Sequence, residues 1–74
     1  MKFTLKLLSP NDVKEFVNIT SQYDYDIDLK NGTYVIDAKS LLGVMGACTR
    51  RQMELSTARE DVTLKHRLQN FIAA

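Results

Sequence analysis

The chain has 74 residues, enough for one domain with one modest core. Apolar residues make up 45% of it, so it folds rather than staying disordered, and ten Lys and Arg against nine Asp and Glu leave a net charge of +1. That balance gives no field for steering nucleic acid or an anionic membrane, and no basic stripe with interleaved aromatics runs along the sequence. Cys48 is the only cysteine, which excludes an internal disulfide; in its apolar stretch it reads as a small buried hydrophobe in a reducing compartment. The first residues form no apolar leader and no segment is long enough to span a bilayer, so the expectation is a soluble cytoplasmic protein.

In chain order, Phe3, Leu5 and Leu7 alternate with Thr4 and Lys6, which predicts a strand with one buried face. Ser9-Pro10-Asn11-Asp12 marks a helix start: a capping hydroxyl, a proline suited to the first helical position and a carboxylate at capping-box spacing. Val13, Phe16, Val17 and Thr20 then recur at helical spacing, with Lys14, Glu15 and Asn18 facing out. From Asp24 to Leu29 the period returns to two, with Tyr25, Ile27 and Leu29 on one face and three aspartates on the other. Asn31-Gly32 signals a hairpin turn, and Thr33 to Ala38 reads as the return strand.

Ser40 precedes a compact apolar run, Leu41 to Cys48, read as a short helix capped by Ser40 and weakened by Gly43 and Gly46. Met53, Leu55 and Thr57 alternate with Gln52, Glu54 and Ser56 as a fourth strand. Glu60 and Asp61 open a last helix whose buried face is Leu64, Leu68, Phe71 and Ile72. The order is β-α-β-β-α-β-α with no repeat or linker, which predicts an α+β fold: one domain over residues 1–74, with an antiparallel four-stranded sheet carrying its helices on one face.

Two segments carry a family resemblance. Ser21-Gln22-Tyr23-Asp24-Tyr25-Asp26-Ile27-Asp28-Leu29, followed by Ala38-Lys39-Ser40-Leu41-Leu42-Gly43-Val44-Met45, resembles the middle of HPr, the histidine-containing carrier of the bacterial sugar phosphotransferase system. The match is good from about Ser21 to Met45, and the element order fits from end to end. The resemblance implies an HPr-like open-faced β-sandwich of four strands under three helices. In HPr the phosphorylated histidine lies between the first strand and first helix. Here that stretch is Leu7-Leu8-Ser9-Pro10-Asn11-Asp12, with neither histidine nor arginine. A relay needs an imidazole that accepts and releases phosphate readily, whereas a serine phosphate is a stable ester, so the carrier site is not carried over. Ser40 does match the serine modified by HPr kinase, and a phosphate there would meet the free amides of a helix N-terminus. Leu41, Leu42 and Met45 match the apolar patch by which HPr docks its partners.

Several residues invite a sharper role and are outweighed by a plainer one. His66 falls opposite the buried stripe of the last helix, with no nucleophile or acid spaced to work with it. Asp24, Asp26 and Asp28 lack the glycine and glutamate positions of a calcium loop and read as a solvated strand face. Arg50-Arg51 reads as a solvated turn. Leu41, Leu42, Val44, Met45 and Cys48 cannot all face one sheet, so some of that apolar surface is exposed.

The expectation is therefore a non-enzymatic binding or regulatory module acting through the helix that starts at Ser40, with no cofactor or metal. Its partner would be a protein: a phosphotransferase component, HPr kinase or a transcriptional regulator. Two alternatives stay open, a functional HPr paralogue in sugar phosphotransferase regulation and a small-ligand-binding regulatory domain of ferredoxin-like type.

Overall fold

The computed structural model describes residues 1–47 and 52–73. Four strands, β1 (Lys2–Lys6), β2 (Asp28–Asn31), β3 (Tyr34–Asp37) and β4 (Gln52–Ser56), form one antiparallel sheet in the order β1-β4-β2-β3. Helix α1 (Pro10–Thr20) carries the chain from β1 to β2 across β4. Helix α2 (Leu41–Ala47) carries it from β3 to β4 across β2. After β4 come α3 (Val62–Arg67) and a 3₁₀ turn, Gln69–Phe71. The predicted element order is the observed one.

The core lies between the sheet and the helices because the periods of strand and helix meet there. Leu5 on β1, Met53 and Leu55 on β4 and Leu29 on β2 are buried, as are Val13, Phe16, Val17 and Thr20 on α1, Val44 and Ala47 on α2, and Leu64 and Leu68 around α3. Phe16 meets Phe71 edge to face with centroids 6.4 Å apart, tying α1 to the C-terminal turn. On β1, β4 and β2 the opposite sheet face is polar: Lys6, Gln52, Lys30 and Asp28 point to solvent. Thr20 is a fully buried polar side chain, and its hydroxyl donates to the Ala38 carbonyl at 2.7 Å, pinning the end of α1 to the approach to α2.

Three local readings are revised. The expected strand from Asp24 begins only at Asp28, because β3 ends at Asp37 and the chain then turns into α2, leaving residues before Asp28 no strand to pair with. Ile27 still accepts from the Ala38 amide at 2.9 Å, and Tyr25 and Ile27 keep the inward side that Leu29 continues within β2. The hairpin turn sits one residue later than expected. Asn31 pairs with Tyr34, and the two loop residues are Gly32 and Thr33, with Gly32 at φ +63° as a primed turn requires at its first position. The last helix breaks at Leu68 into the 3₁₀ turn, which buries Phe71 and lets Ile72 bridge to Leu5.

The two sheet edges differ. Along β1, Ile72 pairs with Leu5 and the Ala73 amide donates to Thr4 at 3.0 Å, so the C-terminal segment covers that edge. Along β3 nothing among the described residues pairs with the outer side. Cys48 and Arg50-Arg51 lie outside the described residues.

Candidate functional site

Two helix starts bear on function. The first is the β1–α1 loop. Ser9 caps α1 as expected, its Oγ accepting from the Asp12 amide at 3.2 Å, and Pro10 takes the first position. The Asp12 carboxylate reaches back to the Leu8 amide at 3.0 Å, one residue before the cap itself. The Ser9 hydroxyl and the Asp12 carboxylate are therefore both engaged in closing the helix. Leu8, Pro10 and Asn11 are left outward.

The second is the start of α2. Ser40 Oγ accepts from the Gly43 amide at 3.2 Å and its carbonyl from the Val44 amide at 2.9 Å, so Ser40 is the N-cap the sequence predicts. Asp37 shapes the approach: its carbonyl accepts from the Ser40 amide and its carboxylate from the Lys39 amide. Gly43 fits closely there: a Cβ would lie 3.1 Å from both Ser40 Oγ and Ile36 Cγ2, so either side chain would have to shift. The helix buries only Val44 and Ala47. That leaves Leu42 87% exposed and Leu41 43% exposed, whereas Met45 is half-buried and packs partly against the core. Of the three residues expected to form an apolar patch, Leu41 and Leu42 are therefore the exposed ones and Met45 is partly covered.

The sequence reading missed the neighbour of this patch. Tyr34 and Val35 on β3 are 73% and 62% exposed. With Asn31, Ile36, Gly43, Gly46 and Ala47 they line a shallow groove of about 330 Å³ between the edge strand and α2. The signal for it was the pair of glycines, which remove side chains from the flank of α2 that faces β3.

The other end of the sheet carries a second depression of about 740 Å³, lined by Asp24, Tyr25, Asp26, Asp28, Ser56, Thr57, Ala58 and Arg59. The three aspartates are exposed, and among the described residues no cluster of His, Cys, Asp or Glu has metal-holding geometry. Tyr25 donates its hydroxyl to Asp61 at 2.9 Å while the Arg59 guanidinium lies over its ring. Burial and the Asp61 carboxylate push the Tyr25 hydroxyl up to about 12. The Leu64 amide, then the Tyr25 hydroxyl, hold Asp61 below the usual carboxylate value. Asp61 is the N-cap of α3, so this pair fastens the loop after β4 to that helix. His66 is on the surface, as expected.

Residues 12–71 match the family model PTS-HPr, described as the PTS HPr component phosphorylation site. The matched segment begins at Asp12, just past the loop that holds Ser9 and Pro10. No curated protein matches the chain. Among solved structures it is similar to HPr-C-His from Thermoanaerobacter tengcongensis, with a TM-score of 0.76 and 17% identity over 95% of this chain and 88% of that one. The shared fold favours the HPr-like architecture over the ferredoxin-like alternative.

Proposed function

The chain belongs to the PTS-HPr family, and on that premise we propose that it is a partner-binding or regulatory HPr-like module that no longer relays phosphate through histidine. One observation carries the reading: the two helix starts have opposite characters. The β1–α1 loop contains Leu8, Ser9 and Pro10 and uses its hydroxyl and carboxylate to cap α1. The α2 start presents Leu41 and Leu42 to solvent beside a serine that is accessible enough to be only half-buried.

Chemically, the first site has nothing to carry phosphate reversibly. The chain's one histidine, His66, lies on α3, and no arginine stands in the β1–α1 loop to hold phosphoryl oxygens. Docking needs no such chemistry; it needs exposed apolar side chains on a rigid support. Leu41 and Leu42 have that support through Val44 and Ala47 beneath them and the Thr20–Ala38 bond beside them. A phosphate on Ser40 would place a dianion at the edge of this patch, next to Lys39 and Asp37, and change which partners it accepts. The partners of this reading are proteins of the phosphotransferase system, with HPr kinase or a transcriptional regulator acting on the Ser40 surface, in the cytoplasm of a bacterium. Among the described residues no helix is long and apolar enough to cross a membrane.

Intact-mass measurement tests both halves. With phosphoenolpyruvate, enzyme I and HPr, this chain should gain no acid-labile phosphate; a labile adduct would restore it to the carriers. With HPr kinase and ATP it should gain one acid-stable phosphate that Ser40→Ala abolishes. No gain, or one that survives Ser40→Ala, removes the switch and leaves only the docking patch.

A further inference from the structure

The unpaired edge of β3 has a self-complementary geometry. In a two-residue hairpin the closing pair exchanges hydrogen bonds, and pairs then alternate between bonded and non-bonded. Asn31–Tyr34 closes this one, so Tyr34 and Ile36 direct their amides and carbonyls at β2, as Ala38 continues to do toward Ile27. Val35, opposite Lys30, therefore directs its own N–H and C=O away from the sheet. The β1 edge is covered by Ile72 and Ala73 and flanked by Lys2 and Lys6. The β3 edge has no lysine, no proline and no cover among the described residues.

We propose that two copies of this chain associate through antiparallel pairing of β3 with β3, Val35 lying on the two-fold axis, to give one continuous eight-stranded sheet. Hydrogen bonding selects an extended backbone as the occupant, and three features select a second copy. First, with Val35 on the axis the two valines exchange both N–H···O bonds, which is the isologous arrangement a two-fold dimer needs. Second, this register sets Tyr34 of each copy opposite Ile36 of the other, on the helix side of the sheet. The incoming tyrosine ring then falls into the groove whose wall is Ile36 and whose open flank is Gly43 and Gly46. A Cβ at Gly46 would meet nothing within 4 Å, so the space is there. Third, the charges agree. The only ionised side chain of β3, Asp37, comes opposite Thr33 of the other copy, so no like charges are apposed. The pairing rests on this edge geometry and stands apart from the docking role of α2.

The contact rests on one four-residue strand from each copy, so a weak association is expected, with dissociation constants on the order of 100 µM. Sedimentation velocity under reducing conditions, from micromolar to millimolar protein, measures it. Val35→Pro removes the outward amide without touching the bonds to β2, and Tyr34→Lys places a charge in the groove from an already exposed position. Each should weaken association by about tenfold or more while the thermal transition stays cooperative. In a mixed-label sample, an intermolecular NOE between the Tyr34 and Ile36 Hα protons should mark the register. A chain that stays monomeric to millimolar concentration overturns the proposal. So does a dimer that persists in both variants, since it would associate by another face or by strand exchange.

Discussion

The starts of α1 and α2 use the same device, a serine N-cap followed by apolar residues, and put it to different ends. Helix α1 runs eleven residues and buries Val13, Phe16, Val17 and Thr20. Its cap is doubled by Asp12, and Pro10 presets the first turn. Helix α2 runs seven residues, contains two glycines and buries two side chains. A helix this short has little intrinsic stability and is held by its surroundings. Buried apolar anchoring therefore concentrates at α1, and exposed apolar surface concentrates at α2, where we propose that partners dock.

The sharpest way to break that contrast is to truncate one anchor of each helix. Phe16→Ala deletes a fully buried ring packed on Phe71 and should cost about 3–5 kcal/mol, enough to unfold much of a domain this small. Leu42→Ala removes a side chain that is almost wholly in solvent and should change stability by less than about 0.5 kcal/mol. Urea denaturation measures both. If Leu42→Ala costs as much as a core truncation, Leu42 is packed and the recognition surface lies elsewhere. Leu41→Asp with Met45→Asp extends the test: the fold should stay cooperative, with a larger loss than at Leu42 because Met45 touches the core.

The two caps sharpen the comparison at the next scale. Ser9→Ala and Ser40→Ala each remove an acceptor from a first-turn amide and should each cost about 1 kcal/mol. Equal stability costs with unequal functional cost is the expected pattern, with only Ser40→Ala abolishing the response to HPr kinase. A Ser9→Ala variant that lost partner binding as well would show that the β1–α1 loop still belongs to the recognition surface.

Much of this was legible in the sequence because it is local. The caps at Ser9 and Ser40 sit within one turn of the amides they serve, and the period of Val13, Phe16, Val17 and Thr20 needs only helix geometry. What the sequence hid is set by distant partners. Tyr25 alternates correctly with Ile27 and Leu29, yet it lies outside the sheet because β3 has already turned toward α2. The cover of β1 by Ile72 and the bond from Thr20 to Ala38 join segments far apart in the chain. The exposure of Tyr34 and Val35 follows from strand order, which no local pattern encodes: the same β-branched and aromatic run would be buried in a central strand.

The glycines of α2 separate a structural need from a tolerated weakness. Gly46→Ala gains helix propensity with nothing nearby to clash, and should stabilise by about 1 kcal/mol, raising the melting midpoint by about 4–8 °C. Gly43→Ala gains the same propensity but drives a methyl to 3.1 Å from Ile36 and from the capping oxygen of Ser40. Its net effect should be zero or destabilising. Equal stabilisation by both would mean that β3 and α2 give way easily, and that the groove between them has no fixed shape.

The smallest effect concerns α3, the third helix start, where the cap is an acid and so reports on pH. Asp61 has its carboxyl lowered from 3.8 by the Leu64 amide and the Tyr25 hydroxyl. Its contribution is present above that value and is lost as pH falls through the lower folded value. Tyr25 has its hydroxyl raised from 10.0 to about 12, so its contribution holds below pH 10 and fades as pH climbs toward 12. Asp61→Asn keeps a capping oxygen while removing the charge, and should flatten the acid limb of stability against pH. Tyr25→Phe should flatten the alkaline limb. Because neither serine cap titrates, an acid limb that survives Asp61→Asn unchanged would show that acid sensitivity comes from outside the helix starts.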